Sequence, residues 1–380
     1  MRMSAPAVVI GGGIAGAAVA AHLAQAGRAV VLIERRDGPH HKVCGEFVSG
    51  EAALYLDDLG IDLVALGAVR MRAVRLAAGR QVATAPLPFP AFSLSRYILD
   101  EALLRAAAAA GAEVRRGGGA RALARGRDGW TVALDDGTSL AAGEVFLATG
   151  KHDLRAWRRP PGMHPDLVAF KLHWRLTREE AAALGASVEL TLFPGGYAGL
   201  EPVEGGVANL CLVVRRSRLA ALGGRWDALL HAVRAASPQL DRRLMGADAC
   251  RCRPLAIAAI PYGYVAEHGR GPWLLGDQAA VIPSFSGDGI AIALHSARLA
   301  ADVHLAGGSA AEFQWRLARD VAGQVRRATW ISRMLVRPSG RMIAAAGARV
   351  MPGLIGGIAR MTRIPAACLR SARDVQLHSA

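Results

Sequence analysis

Residues 7–34 read AVVIGGGIAGAAVAAHLAQAGRAVVLIE. Val8 to Ile10 form a short apolar run of β-branched residues, the pattern of a strand buried in a parallel sheet. Gly11, Gly13 and Gly16 follow at G-x-G-x-x-G spacing. The spacing predicts a helix over 14–26, almost wholly alanine and leucine, that can lie close against a sheet. Gly27 ends it, a second strand runs over 29–33, and Glu34 closes the unit. Each part has a physical job. Gly11 permits the tight turn, Gly13 lets the backbone approach a pyrophosphate, and Gly16 lets helix and strand pack closely. The first-turn N–H groups of the helix point at the phosphates. Glu34 is placed to accept hydrogen bonds from an adenosine ribose and to disfavour a 2′-phosphate. A lone glycine motif is weak, but one set between strand, helix, strand and acid is specific for a dinucleotide.

The totals narrow the class. At 380 residues the chain is long enough for two domains, or one large α/β domain with an inserted sheet. Its net charge of +15 is carried almost entirely by arginine, since Lys42, Lys151 and Lys171 are the lysines. Those arginines are scattered and aromatics make up 5%, so the clustered basic and aromatic face of a nucleic-acid binder is not expected. The surplus can still attract anionic cofactors or an acidic membrane surface. The mean hydropathy is +0.24, yet no segment reads as a membrane span. The N-terminus imitates a secretory signal, but its glycines argue that it stays and folds, making the cytoplasm the expected compartment. Cys44, Cys211, Cys250, Cys252 and Cys368 fit neither a disulfide framework nor a zinc pattern, and no metal site is expected. Nothing in the sequence sets the oligomeric state.

Further along, alternation over 70–85 predicts a hairpin turning at Ala78-Gly79, after which Pro86, Pro88 and Pro90 should break the chain. A long helix is expected over 93–110. Arg96 at its start is unusual, because the positive end of the helix dipole repels a cation unless an anion sits nearby. Residues 112–114 read as a third core strand, 120–140 as a meander, and 144–148 as another apolar strand. Residues 169–176 alternate cleanly, with Phe170, Leu172, Trp174 and Leu176 on one face and Lys171, His173 and Arg175 on the other. That pattern implies an antiparallel sheet with one covered face, His173 lying toward solvent or hydrogen-bonded within the strand. Strands over 187–193 and 206–214 are expected to be joined through residues 194–199. Later, a strand ends at Gly276-Asp277, a glycine-rich loop spans 283–289, and a helix starts at Ile290. From Phe313 onward the chain is helical and arginine-rich. Residues 341–363 read as a packing or lid helix, with peripheral membrane contact as the sharper alternative.

The opening motif together with Gly276-Asp277, Pro283 and Ser286-Gly287-Asp288-Gly289 resembles the p-hydroxybenzoate hydroxylase-like FAD enzymes. Lys42-Val43-Cys44-Gly45-Glu46 is similar to the Lys-x-Cys-Gly segment of their geranylgeranyl reductase-like branch, and Ser95-Arg96 to a helix start that contacts FAD. The resemblance implies an α/β fold: a Rossmann-like FAD-binding domain (residues 1–70, 93–160 and 270–310), an inserted antiparallel β-sheet substrate domain (71–92 and 161–269) and C-terminal helices (311–380). It implies that Gly11, Gly13, Ile14, Ala15, Gly16, Glu34 and Arg35 hold the ADP half of FAD, with Lys42, Cys44, Gly45, Arg96, Thr149 and Gly150 also at the cofactor. Gly276 and Asp277 would meet the ribityl and pyrophosphate region. Pro283, Gly287, Asp288, Gly289 and Ile290 would run along the isoalloxazine, where a helix N-terminus favours the anionic reduced ring.

The chain also departs from the family patterns. The Asp-Gly pair tied to nicotinamide use is replaced by Gly150-Lys151-His152-Asp153-Leu154-Arg155, although NADPH or NADH remains the expected electron donor. The Trp-x-Trp-x-Ile-Pro segment of the halogenases is absent, which demotes halogenation. The Tyr-x-Trp-x-Phe-Pro segment of the reductases is reduced to residues 193–199, which keep Tyr197. The leading expectation is a monooxygenase acting on a hydrophobic aromatic or alkene substrate. The alternative is a reductase or dehydrogenase of C=C bonds in an isoprenoid, quinone or polyketide-like lipid. Cys44, Glu46, Tyr197 and Tyr262 are the candidate catalytic or pocket residues, Cys44 being the proton donor candidate for a reductase.

Overall fold

The computed structural model describes residues 5–155, 157–267, 271–351 and 353–369; residues 1–4 and 370–380 of the regions expected above lie outside these. β1 (Ala7–Ile10) leads through Gly11 into α1 (Ile14–Gln25), and β2 (Val30–Glu34) returns beside β1 in parallel register. β3 (Phe47–Ser49) and α2 (Gly50–Asp58) precede a long hairpin, β4 (Val69–Ala78) and β5 (Gln81–Ser93). Then come α3 (Arg96–Ala109), β6 (Glu113–Arg116), the meander β7 (Ala120–Arg125), β8 (Trp130–Leu134) and β9 (Ser139–Ala142), and β10 (Glu144–Leu147). The next segment comprises β11 (Leu167–Arg175), α4 (Arg178–Leu184), β12 (Ser187–Phe193), β13 (Gly196–Val203) and β14 (Val207–Arg215). It is followed by α5 (Arg216–Ala221), α6 (Trp226–Ala236), α7 (Pro238–Arg243), β15 (Asp248–Ala249) and β16 (Leu255–Ala258). The chain continues through β17 (Trp273–Leu274), α8 (Gly289–Leu305), α9 (Ala310–Leu335), α10 (Pro338–Val350) and α11 (Gly353–Met361).

A five-stranded parallel sheet, ordered β17-β10-β1-β2-β6, organises the first layer. Val9, Val30 and Leu32 face α1, α3 and α8, while Val8, Ile10, Val31 and Ile33 face the meander. A sheet buried on both faces needs apolar residues at consecutive positions, which accounts for the uninterrupted runs. α1 is buried along almost its whole length, and alanine lets two helices and a sheet close on it together. This is the α/β, Rossmann-like arrangement expected from the sequence. β6 joins this sheet as the strand expected near residues 112–114, but at its edge and with alternating rather than full burial.

The second sheet has nine strands, running β15-β11-β14-β13-β12-β4-β5-β3 with β16 paired to β11. It is antiparallel except where β4 meets β12. Phe170, Leu172 and Trp174 pack outward under α4, α6 and α7. The opposite face turns inward toward the first domain and α9.

Three local expectations change. Pro86, Pro88 and Pro90 do not break the chain, because β5 runs through them: pairing jumps from Ala73↔Pro86 to Met71↔Ala91, so residues 87–90 need no ladder N–H. Residues 196–203 are a strand, β13, rather than a connection, and only Pro194 and Gly195 make the turn. Helix α3 starts at Arg96, with Ser95 as its N-cap, rather than at residue 93.

Candidate active site

The two sheets and α11 enclose a cavity of about 720 Å³. One end is the turn after β1. A Cβ on Gly16 would lie 1.8 Å from the Gly11 carbonyl oxygen and one on Gly11 2.5 Å from that of Ala148, so both glycines serve backbone packing. Gly13 differs. Its backbone is extended, and a Cβ there would project toward Lys42 Nζ at 3.4 Å and Arg96 Nη2 at 3.5 Å. The space beyond Gly13 is therefore bounded by two cations and a helix N-terminus, a setting for phosphate. Asp100 positions both cations, accepting from Arg96 Nε at 2.7 Å and pairing with Lys42 Nζ at 2.8 Å. Burial alone would raise the Asp100 carboxyl, but Arg96 and then Lys42 hold it below its ordinary value. The unusual arginine at the start of α3 is thus tied to its own helix and aimed at the space before Gly13. Glu34 lines the same end; its Oε2 accepts from Gly12 N at 2.8 Å and its Oε1 from Arg36 N at 2.9 Å.

The middle of the cavity is bounded by residues 44–46. Asn209 on β14 donates to the carbonyls of Cys44 (3.2 Å) and Gly45 (2.8 Å) and pins that backbone to the second sheet. A Cβ on Gly45 would meet nothing within 4 Å, consistent with close approach of a ligand. Glu46 is fully buried with φ +68°, a left-handed conformation uncommon for glutamate, and three groups hold it. It accepts from Arg96 N at 2.8 Å and His173 Nε2 at 2.8 Å, and pairs with Lys171. Burial would raise its carboxyl, but Lys171 and then His173 keep it below the usual range. Lys171 and His173, read as a polar strand face, thus face not water but an acid delivered by a distant loop. The His41 ring lies tilted against His173 with centroids 4.6 Å apart, and burial followed by the His173 and Lys171 charges lowers its pKa to about 4. The ligand atoms of His41, Glu46 and His173 lie within 4.8 Å of one another, a grouping that could hold a metal, but the Lys171 ammonium already answers the carboxylate.

On the opposite wall, Asp277 Oδ2 lies 3.2 Å from Lys151 Nζ, and Gln278 Nε2 donates to the carbonyls of Gly150 (2.8 Å) and His152 (3.1 Å). These contacts join the turn after β10 to the Gly276-Asp277 turn. Thr149 closes that turn through His152 O, and Asp153 accepts from Arg159 Nε at 2.6 Å. Tyr197 and Tyr262 are buried and make long contacts of 3.4–3.5 Å to the Ser284 hydroxyl, bracing the 283–289 loop. Burial pushes both phenols up, so they remain neutral donors.

Of the anticipated residues, Gly11, Gly13, Ile14, Ala15, Glu34, Arg35, Lys42, Cys44, Gly45, Glu46, Arg96, Thr149 and Gly150 line this one cavity. So do Tyr197, Tyr262, Gly276, Asp277, Gly287, Gly289 and Ile290. Three do not. Gly16 is a packing glycine, Pro283 lies behind the wall with its carbonyl on Ser286 Oγ, and Asp288 is wholly buried beneath the loop. Asp288 Oδ1 accepts from Arg363 Nη1 at 2.9 Å and Oδ2 from Gln324 Nε2 at 3.3 Å, so it anchors the loop to the C-terminal helices. The sequence reading missed Glu201. This residue on β13 lines the cavity at 4% exposure, and its Oε1 has no hydrogen-bond partner among the described residues. Burial first, and then the Glu46 charge, raises its carboxyl well above the ordinary value. Its signal was an acid between residues 199 and 206, a stretch to which the sequence reading gave no element.

Comparison with known proteins decides the class. A model of the FAD dependent oxidoreductase family matches residues 7–82. The menaquinone reductase of Mycolicibacterium smegmatis (strain ATCC 700084 / mc(2)155) is 28% identical over 327 residues, covering 81% of this chain and 78% of its own. Among solved structures, halogenase PltM in complex with phloroglucinol and FAD superposes with a TM-score of 0.73 at 17% identity, covering 87% of this chain and 76% of that one. The myxobacterial chondrochloren halogenase CndH gives 0.75 at 22% identity over 93% and 90% of the two chains. These structures share the fold. The family match, the reductase relatives and the shared fold all point to an FAD-dependent oxidoreductase.

The flavoenzyme's residues fit that cofactor. Gly13, Lys42 and Arg96 would hold the pyrophosphate, Glu34 the adenosine ribose and Asp277 the ribityl chain, with Gly45 leaving room beside the ring. Asp277→Ala would leave Lys151 without its carboxylate in the polar wall and remove an acceptor. About tenfold weaker FAD retention is expected with an unchanged circular dichroism spectrum. Glu201 makes stability depend on pH. Because its folded-state carboxyl is raised, the folded chain keeps a proton that the unfolded chain has lost above the ordinary carboxylate range, so stability falls as pH rises there. Glu201→Gln removes that loss. Thermal melts should show the variant above the native flavoenzyme at pH 8, the gap narrowing as pH falls toward 4.

Proposed function

We propose that this flavoenzyme reduces a carbon–carbon double bond in a polyprenyl lipid, with a prenylated quinone as the favoured substrate. The observation that carries this reading is Glu201, a buried carboxyl on the cavity wall whose Oε1 has no hydrogen-bond partner among the described residues, and which burial and then the Glu46 charge push toward its protonated form. The apolar end is walled by Val74, Leu87, Phe89, Val188, Leu190 and Ile355, suited to an extended hydrocarbon. Reduced FAD, when bound, supplies a hydride; saturation of an alkene also needs a proton, and this chain holds one at Glu201. Lys171 and His173 keep Glu46 ionised, and its charge helps to keep Glu201 protonated, so two neighbouring carboxyls are set to opposite states. The name of the bacterial relatives supports a quinone-linked reductase. Halogenation is disfavoured further because Lys42, Lys151 and Lys171 are all in ion pairs.

The test is anaerobic. Protein loaded with FAD is reduced with NADH, NADPH or dithionite under nitrogen and mixed with a menaquinone bearing an unsaturated tail. A product heavier by two hydrogens that survives exposure to air is expected. A quinol that reverts to the starting mass in air would assign reduction to the ring instead. A product heavier by one oxygen, formed only in air, would return the reaction to the oxygen transfer expected from the sequence.

A further inference from the structure

α10 and α11 close the apolar end of the cavity and are themselves covered on one side only. α10 packs on β4 and β5, and α11 packs on β5. Their other side presents Met342, Ile343 and Val350 on α10, and Leu354, Ile358 and Met361 on α11, between 39% and 77% exposed. Leu354, Ile358 and Met361 recur at i, i+4 and i+7, the spacing of one helix stripe. An apolar stripe of this kind facing outward marks an interaction surface rather than a core.

The charge around the stripe indicates the partner. Between Val321 and Leu369 the chain has eight arginines and no aspartate or glutamate. Among the described residues, Arg363 alone of the eight forms an ion pair, to Asp288. Arg341, Arg349 and Arg360 lie on the helices that carry the apolar residues. Apolar side chains framed by arginine match the acyl and anionic headgroup layers of a bilayer surface. No single helix among the described residues is long and apolar enough to cross a membrane, and the segments Pro338–Val350 and Gly353–Cys368 are bent by 119°. Their packing on the hairpin and the anchoring of Arg363 hold them against the protein, which suits lying on a membrane rather than traversing it. Ile358 is both on the exposed stripe and on the cavity wall.

We propose that the outer face of α10 and α11 rests on an anionic phospholipid bilayer, with the apolar end of the cavity beside the acyl chains. This contact is independent of the reduction chemistry, and it is measured without turnover by sedimentation of the full chain with vesicles. Vesicles of phosphatidylcholine containing about one-third phosphatidylglycerol should carry the protein down, pure phosphatidylcholine much less, and high salt should release it. Met342→Asp with Ile343→Asp should lower the partition coefficient about tenfold or more, and Arg341→Glu with Arg349→Glu should abolish the preference for anionic vesicles. Val64→Asp, at an exposed apolar residue in the loop between α2 and β4, should leave binding unchanged. Circular dichroism and flavin content report that each variant is folded. Failure of the native chain to bind, or binding indifferent to both double substitutions, would overturn the proposal. So would a dimer in solution that the same substitutions dissolve, which would assign the face to a second copy.

Discussion

Gly13→Val is expected to fold normally and to purify colourless, holding less than about a tenth of the FAD found in the native protein. The backbone at Gly13 has φ −78° and ψ −173°, which valine adopts without strain. The damage is confined to the space its side chain enters, toward Lys42 and Arg96. Gly16→Val should behave differently. Its Cβ would meet the Gly11 carbonyl oxygen at 1.8 Å, so the helix and strand must separate and the fold itself suffers. Flavin released per mole of protein, read beside the far-UV circular dichroism spectrum, separates the two outcomes. Full flavin content in Gly13→Val would show that the phosphates lie elsewhere.

Glu201→Gln is expected to lower the rate of alkene reduction by roughly 10² to 10⁴, the usual contribution of a positioned general acid. Flavin content and the rate at which reductant bleaches the flavin should stay at native values, because Gln reproduces the neutral form that burial already imposes. Single-turnover mixing of reduced protein with the unsaturated lipid isolates the affected step. The comparison variant is Cys44→Ser. Cys44 also lines the cavity, and its Sγ accepts from Glu46 N at 3.3 Å. If Cys44→Ser stops the reaction while Glu201→Gln proceeds at the native rate, the proton comes from the thiol.

The parts of this site that were readable from the sequence are those whose geometry is local. Gly11, Gly16 and the alanines of α1 declare their roles because the tight turn and the close packing are set within about thirty residues of chain. The Gly276-Asp277 turn and the helix after Gly289 are legible for the same reason. Arg96 was readable as an anomaly, and the structure resolves it through Asp100 and the open space before Gly13. The failures share a cause. Alternation in β11 identifies two faces but carries no information on what covers each, so Lys171 and His173 pass for solvent-side residues. Pro88 and Pro90 look like breakers until the ladder is seen to skip residues 87–90. Asp288 sits in a cofactor-like loop, yet Arg363 draws its carboxylate away from the cavity.

The sequence by itself determined the class of cofactor, since the glycines, helix terminus and acid that suit a dinucleotide fall within one short unit. Only the tertiary structure decided the far wall of the cavity. Glu46 and His173 are 127 residues apart, and Asp288 and Arg363 are separated by 75. Whether Glu201 keeps its proton depends on burial and on the charge of Glu46, and neither exists until the two sheets close on each other.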